Sequence, residues 1–342
     1  MDDNFLIYEV KSGETLSSIA QNIGITEEQL RDFHNENCEK ANLPWFYSFY
    51  GTSKIIIPKN YKRPEQIWKE ITQNLPPKLL QESIYQEKYF VQETFEQVGE
   101  EKMQYEYIFE LNLKQEKETW LASTKKSEHI TNKENPDKKT SNLGLLCMEA
   151  ISPIPIIISS KGEMLEISNP KDLEKKFENK RKEIEDFYTD DISKKYLDNF
   201  QKEISFEGNL FKRVSSTLLY QLVFINLEQF WIKETFTRII FVILNSFSVE
   251  CEFLPKHEIN EDGIIISLKG KIIENCTLSE LLQNIREEDE ENESKNLING
   301  EVNFSYIYNS KLKKITNAEA EILLWNDEDL YIQHQLKITL NE

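Results

Sequence analysis

The chain has 342 residues, with 41 Lys and Arg against 60 Asp and Glu, for a formal net charge of −19. That balance excludes the basic surface that nucleic-acid backbones require and disfavours docking on anionic lipid. A content of 39% hydrophobic and 30% charged residues describes a soluble globular protein long enough for two or three domains. The longest apolar run, residues 239–244, is strand-sized, so no membrane span is expected. Met1-Asp2-Asp3-Asn4 is acidic where a signal peptide is basic, and no apolar stretch follows. Cys38, Cys147, Cys251 and Cys276 are scattered without a CxxC pair. They read as reduced thiols of a cytoplasmic protein that leaves the cell, if at all, as part of a particle.

In chain order, residues 8–58 read as strand, helix, helix, strand. Thr15 opens the first helix, and Leu16, Ile19, Ala20 and Ile23 recur at helical spacing to make one buried face. Gly24 stops it. Thr26 opens the second helix, with Glu27 and Glu28 at the positive end of the dipole. Leu30 and Phe33 give that helix an apolar side, and Ile55-Ile56-Ile57-Pro58 reads as the closing strand.

This stretch resembles the LysM family over residues 5–59. The match is carried by Tyr8, Val10, Gly13, Thr15, Leu16, Ile19, Ala20, Ile25, Thr26, Leu30, an Asn at 35 or 37, Ile57 and Pro58. The resemblance implies binding of N-acetylglucosamine (GlcNAc) glycans such as peptidoglycan or chitin, in a shallow groove between the first and last loops. Carried over, its residues are Ser12, Gly13, Glu14 and Thr15, with Asn37 on the opposite wall. The last loop departs from the family pattern: Leu43-Pro44-Trp45-Phe46-Tyr47-Ser48-Phe49-Tyr50 sets five aromatics in six positions. Such rings suit sugar stacking, and equally the core of a contact with protein. We assign Trp45, Phe46, Tyr47, Phe49 and Tyr50 to a partner or interdomain contact.

Residues 61–100 read as a connector with one short helix at 65–73, ended by Pro76-Pro77. From Tyr105 the period becomes two: Tyr105, Tyr107, Phe109, Leu111 and Leu113 alternate with polar residues as in a half-buried strand. Residues 119–122 read as a partner strand, 125–142 as a surface loop, and 145–148 and 154–158 as strands. A hairpin through Ser160-Lys161-Gly162-Glu163 leads to 164–167. Asn169-Pro170 starts a helical insertion over 169–232, with a break near Thr189-Asp190 and a further helix over 210–225. Strands return at 239–244, expected to be buried on both faces, then at 247–253, 263–273, 302–308, 319–325 and 330–340. Thr277 and Glu280 form a capping box between them, and 287–293 is an acid run. The predicted fold class is α+β. A βααβ LysM module at 1–60 and the connector precede a curved antiparallel sheet domain at 101–342 that wraps its helical insertion. That layout loosely resembles the open half-barrels of lipoprotein carriers, although no motif contributes to the likeness.

No nucleophile elbow, phosphate loop or dinucleotide fingerprint is present. His34, His129, His257 and His334 stand apart in sequence. His257-Glu258 begins like a zinc-protease motif, but Glu261 stands where its second histidine belongs. No metal or cofactor is expected, and no enzyme. The functional expectation is a structural or adaptor protein with protein partners, in or loading a cytoplasmically assembled contractile injection or phage-tail-like secretion machine. The alternative is a binder of peptidoglycan- or chitin-type GlcNAc glycan.

Overall fold

Local chemistry sets the N-terminal elements. The computed structural model describes residues 5–46, 48, 51–59, 64–132, 139–206, 208–261, 263–286, 297–326 and 328–340. Strand β1 (Phe5–Glu9) pairs antiparallel with β2 (Lys54–Pro58), and between them lie helices α1 (Leu16–Ile23) and α2 (Glu27–Asn37). Thr15 caps α1 and Thr26 caps α2. Each forms a reciprocal capping box with the residue three positions on, which satisfies two orphan N–H groups. Gly24 closes α1 in the left-handed conformation at φ 69°. Leu16, Ile19, Ala20, Ile23 and Leu30 face Ile55 and Ile57 in one small core. Helix α3 (Pro64–Asn74) follows. The chain divides into compact units at 1–73 and 74–342, and each is described by itself.

The second unit is built on one sheet. Residues read as connector at 61–100 contain strand β3 (Lys88–Gln97), which lies in the middle of it. Its run Lys-Tyr-Phe-Val-Gln-Glu-Thr-Phe alternates too weakly to announce a strand. It is fixed by ladders on both sides, to β4 (Met103–Glu116) and to β13 (Asp329–Leu340). Strand β5 (Thr119–Thr131) extends far into the expected surface loop. Helix α4 (Lys139–Ile151) replaces the strand expected at 145–148. Leu143, Cys147 and Ile151, four apart, are each 1% exposed or less, so helical spacing wins there. Strands β6 (Ile154–Ile158) and β7 (Met164–Ile167) form the expected hairpin, with Gly162 at φ 101° in the turn.

Helices α5 (Pro170–Phe187) and α6 (Asp191–Ser205) meet at the expected break, where Asp190 caps α6. The single helix expected over 210–225 is two, α7 (Asn209–Ser215) and α8 (Leu218–Val223), followed by a 3-10 turn at Leu227–Trp231. Strand β8 (Phe236–Ile240) corrects another expectation. It is an edge strand paired with β9 (Val249–Asn260), and it is covered on one face rather than both: Ile240 is fully buried while Ile239, on the opposite face, is 67% exposed. Strand β10 (Gly263–Ile272), helix α9 (Leu278–Gln283) with its Thr277–Glu280 box, and strands β11 (Asn299–Asn309) and β12 (Lys314–Asn326) complete the unit. The acid run at 287–293 lies outside the described residues.

The eleven strands are ordered β7-β6-β5-β4-β3-β13-β12-β11-β10-β9-β8, and every pairing is antiparallel. Two meanders meet at the β3–β13 seam, and helices α5 to α8 connect the two outer edges. Curvature follows from two hydrogen bonds. Tyr220 Oη of α8 lies 2.8 Å from Thr124 Oγ1 on β5, while Tyr306 on β11 donates to the Leu222 carbonyl at 3.0 Å. On a flat sheet β5 and β11 would stand about 24 Å apart, five strand spacings. Here both reach one turn of α8, so the sheet curls around the helices. Burial marks the concave face: Tyr89, Phe109, Ile266 and Leu324 are fully covered.

Gly270 on β10 is closely packed on that face: an added Cβ would come within 2.4 Å of the Phe253 ring and 2.7 Å of the Val302 carbonyl. Gly270→Ala should therefore destabilise the sheet domain by about 1–3 kcal/mol through overpacking, read as a lower midpoint in denaturant with unchanged slope.

Candidate functional site

The first loop of the N-terminal module is a reverse turn held by its own carboxylate. Glu14 N donates to the Lys11 carbonyl at 3.2 Å, and Gly13 occupies the third turn position at φ 89°, where a residue with a side chain would be strained. Glu14 Oε2 accepts from Lys11 N at 2.8 Å and Oε1 accepts from the Tyr8 hydroxyl at 2.7 Å. The backbone bond to Lys11 and the Tyr8 hydroxyl hold its pKa below the usual carboxylate range, while the Tyr8 phenol is pushed up by its bond to Glu14. Glu14 is thus a positioning group for the turn. Thr15 Oγ1 caps α1 by accepting from Ser18 N at 3.0 Å. Ser12, Gly13 and Thr15 are exposed, and a Cβ added at Gly13 would meet nothing within 4 Å.

The last loop is tied down from α2 by two adjacent side chains. Asn35 Oδ1 accepts from Phe46 N at 2.7 Å, and Asn35 Nδ2 approaches the Phe46 carbonyl at 3.5 Å. His34 bridges Pro44 O through Nε2 at 3.0 Å and Ile56 N through Nδ1 at 3.0 Å. The Ile56 N–H can only donate, so Nδ1 accepts and Nε2 carries the proton. His34 is 1% exposed and joins helix, loop and strand. The available signal was its place four residues after Leu30, on the buried stripe of α2. With positions 44 and 46 fixed, Trp45 projects between them at 54% exposure.

Phe46 belongs to the core of this module. It is 4% exposed, packs with Leu30, Ile55 and Ile57, and meets the His34 ring edge-on at 5.5 Å. Its place in the group assigned to a partner or interdomain contact is corrected accordingly, because the Asn35 clamp turns its ring inward. Tyr47, Phe49 and Tyr50 lie outside the described residues. Asn37 makes local bonds, donating to Phe33 O at 2.9 Å and accepting from Lys40 Nζ at 3.1 Å. Of the two candidate asparagines, Asn35 is the one that braces the loop.

Residues 8–33 match the LysM domain family. The chain therefore carries a LysM domain at its N-terminal end, and the match covers a small part of the whole. No curated protein matches the chain. Among solved structures it is similar to one described as lipid–protein interactions in lipovitellin, at 8% identity and a TM-score of 0.40. That alignment covers 75% of this chain and 24% of the other, so the chain spans about a quarter of the length of that protein.

Among the described residues, no three His, Cys, Asp or Glu side chains gather as metal ligands, and the four cysteines are free and buried. The sheet domain holds a second concentration of ionisable groups. Glu93 of β3 pairs with His334 Nε2 at 2.7 Å and accepts from the Tyr107 hydroxyl at 3.0 Å. Burial alone would raise the Glu93 pKa, but His334, then Lys126 and Tyr107, outweigh it and hold it low.

Two outcomes follow. His34→Ala leaves the Ile56 N–H and the Pro44 carbonyl without partners, and should cost the LysM domain about 2–4 kcal/mol in chemical denaturation, with the Trp45 environment changing in the same transition. Because the folded pKa of Glu14 is depressed, its contribution is present above the unfolded carboxylate pKa and lost as pH falls through the lower folded value. Glu14→Gln should therefore lower stability near neutrality and flatten the acid limb of the pH–stability curve.

Proposed function

We propose that the protein is a non-enzymatic binding protein whose LysM domain holds a GlcNAc-containing glycan and thereby places the sheet domain on it. The observation that supports this reading is the open Gly13 turn. Ser12, Gly13 and Thr15 are exposed on a turn already locked by Glu14, so little conformational entropy is lost when a sugar acetamide binds. The flat ring of Trp45, held outward by the neighbouring clamps, adds a face for sugar stacking.

A second reading keeps the LysM domain but gives it a protein ligand, as an adaptor in a cytoplasmically assembled contractile injection or phage-tail-like machine. The enlarged aromatic loop favours it, since an exposed Trp among aromatics suits an interface anchor. Phe46 no longer counts toward that anchor, which is why the glycan reading is preferred.

Titration of the full chain with chitin oligomers and with soluble peptidoglycan fragments separates the two. The expected dissociation constant lies between about millimolar and micromolar, or about −4 to −8 kcal/mol. Trp45→Ala should weaken binding by about fivefold or more, as loss of about 1 kcal/mol of ring contact implies. Gly13→Val should weaken it further by straining the turn. Absence of binding at millimolar oligomer, with folding intact, would remove the glycan reading and leave the adaptor.

A further inference from the structure

We propose that the sheet domain has a ligand site of its own, a cavity that takes a monocarboxylate with an apolar tail, its carboxylate on Lys126 and its tail between the sheet and helices α4 and α7. This goes beyond the LysM reading and does not rest on it.

The cavity has a volume of about 460 Å³ and is walled by Leu145, Met148, Ile154, Leu210 and Val214. It falls within the roughly 300–1,000 Å³ of small-molecule sites, which are mostly apolar with a few placed polar groups. The placed group here is the Lys126 ammonium. It stands 4.8 Å from the Tyr107 ring centre and 5.9 Å from that of Tyr220, and among the described residues it has neither a hydrogen-bond acceptor nor an ion-pair partner. Glu93 is the nearest compensating charge, but both of its oxygens are already bound, to His334 and to Tyr107. Two rings hold an ammonium in place without neutralising it. Burial pulls the Lys126 pKa down and the Glu93 charge opposes that fall.

The backbone is distorted at this point. The β4–β5 register slips between Glu106 and Ile108, and Glu128 takes a left-handed φ of 56°. In a regular strand Lys126 and His129 would point to opposite faces. The extra residue of the bulge turns His129 to the concave face, where its ring lies 5.4 Å from Tyr107. A non-glycine residue in that conformation carries strain, and such strain gathers at sites that use it. Burial and then the Lys126 charge lower the His129 pKa, so the imidazole is neutral at neutral pH and is a hydrogen-bonding neighbour rather than a second cation.

Charge decides the ligand class. The wall carries Lys125, Lys126 and Arg213 against Glu128 and Glu149. Arg213 is already bonded to Glu203. With Arg213 so paired, the two lysines equal the two glutamates in number, and what the cavity offers is one ammonium, that of Lys126, bonded to neither carboxylate among the described residues, which matches a single carboxylate and is short of what a phosphate dianion needs. It does so inside a chain whose net charge is −19.

The test compares decanoate, decanol and decyltrimethylammonium on the full chain by calorimetry. Decanoate is expected to bind about tenfold or more tighter than decanol, as a charge-assisted bond implies, with the ammonium amphiphile weaker still. Lys126→Met should bring decanoate down to the level of decanol, Lys126→Arg should keep the preference, and both should leave chitin-oligomer binding unchanged. A diazirine analogue of decanoate should label peptides from α4 and α7. The proposal is overturned if decanoate binds no tighter than decanol, if neither binds, if folded Lys126→Met keeps the preference, or if labelling falls elsewhere. Should Lys126→Met not fold, the wild-type discrimination and the labelled peptides decide.

Discussion

The sheet domain depends on one short helix being reached from both halves of the sheet. Helix α8 has six residues, all buried. Its side chains and carbonyls are bound from β5 through Thr124 and Tyr220, and from β11 through Tyr306 and the Leu222 carbonyl. Tyr85, preceding β3, adds a bond to the Val223 carbonyl. The last carbonyls of a helix have no partner within the helix, and here phenol groups of the surrounding structure satisfy two of them. That anchor helps to hold the eleven-stranded sheet in its curl, with its concave apolar face turned away from water. The same curl places Lys126, Glu93 and His334 on the inner surface, where ionic groups are costly unless matched.

Legibility followed the range of the interactions. Thr15, Thr26 and Thr277 announced their helices because a capping box is complete within four residues. Pro170 marked the start of α5 by its place in the first turn, and the break expected near Thr189-Asp190 is where Asp190 caps α6. Strand β3 was missed because its stability comes from neighbours far away in sequence, Tyr107 on one side and Ile338 on the other for Val91 alone. Strand β8 was misjudged for a related reason: six apolar residues in a row signal burial on both faces, but only one face of β8 is covered, so Ile240 is buried and Ile239 is not. Helix α4 shows the ambiguity of short apolar runs. Leu145 to Met148 fit a strand in isolation, and only the longer spacing from Leu143 through Cys147 to Ile151 reveals the helix.

The candidate site of the LysM domain was legible in its first loop and partly so in its last. A turn with glycine at its third position and a cap at Thr15 can be read directly, because each needs a particular residue at a particular place. The last loop could not be resolved from its aromatics, since Trp45 and Phe46 are adjacent, chemically alike and oppositely directed. What separates them lies on α2. Asn35 binds the Phe46 backbone and His34 binds the Pro44 carbonyl, leaving position 45 to point outward. A polar pair on a helix thus decides which ring packs and which ring is offered.

In both units a titratable group is held for geometry, and the difference between them is instructive. Glu14 has donors on both oxygens and His34 has a partner on each ring nitrogen, so their work in shaping the LysM loops is complete. Glu93 is similarly satisfied by His334 and Tyr107. Lys126 in that inner cluster is placed over two rings and beside a bulge, yet among the described residues it has no acceptor. A purely structural lysine would gain by reaching solvent, which its four-carbon stem permits on most strands. Held inward against that gain, its ammonium has the geometry of a group that awaits an anion.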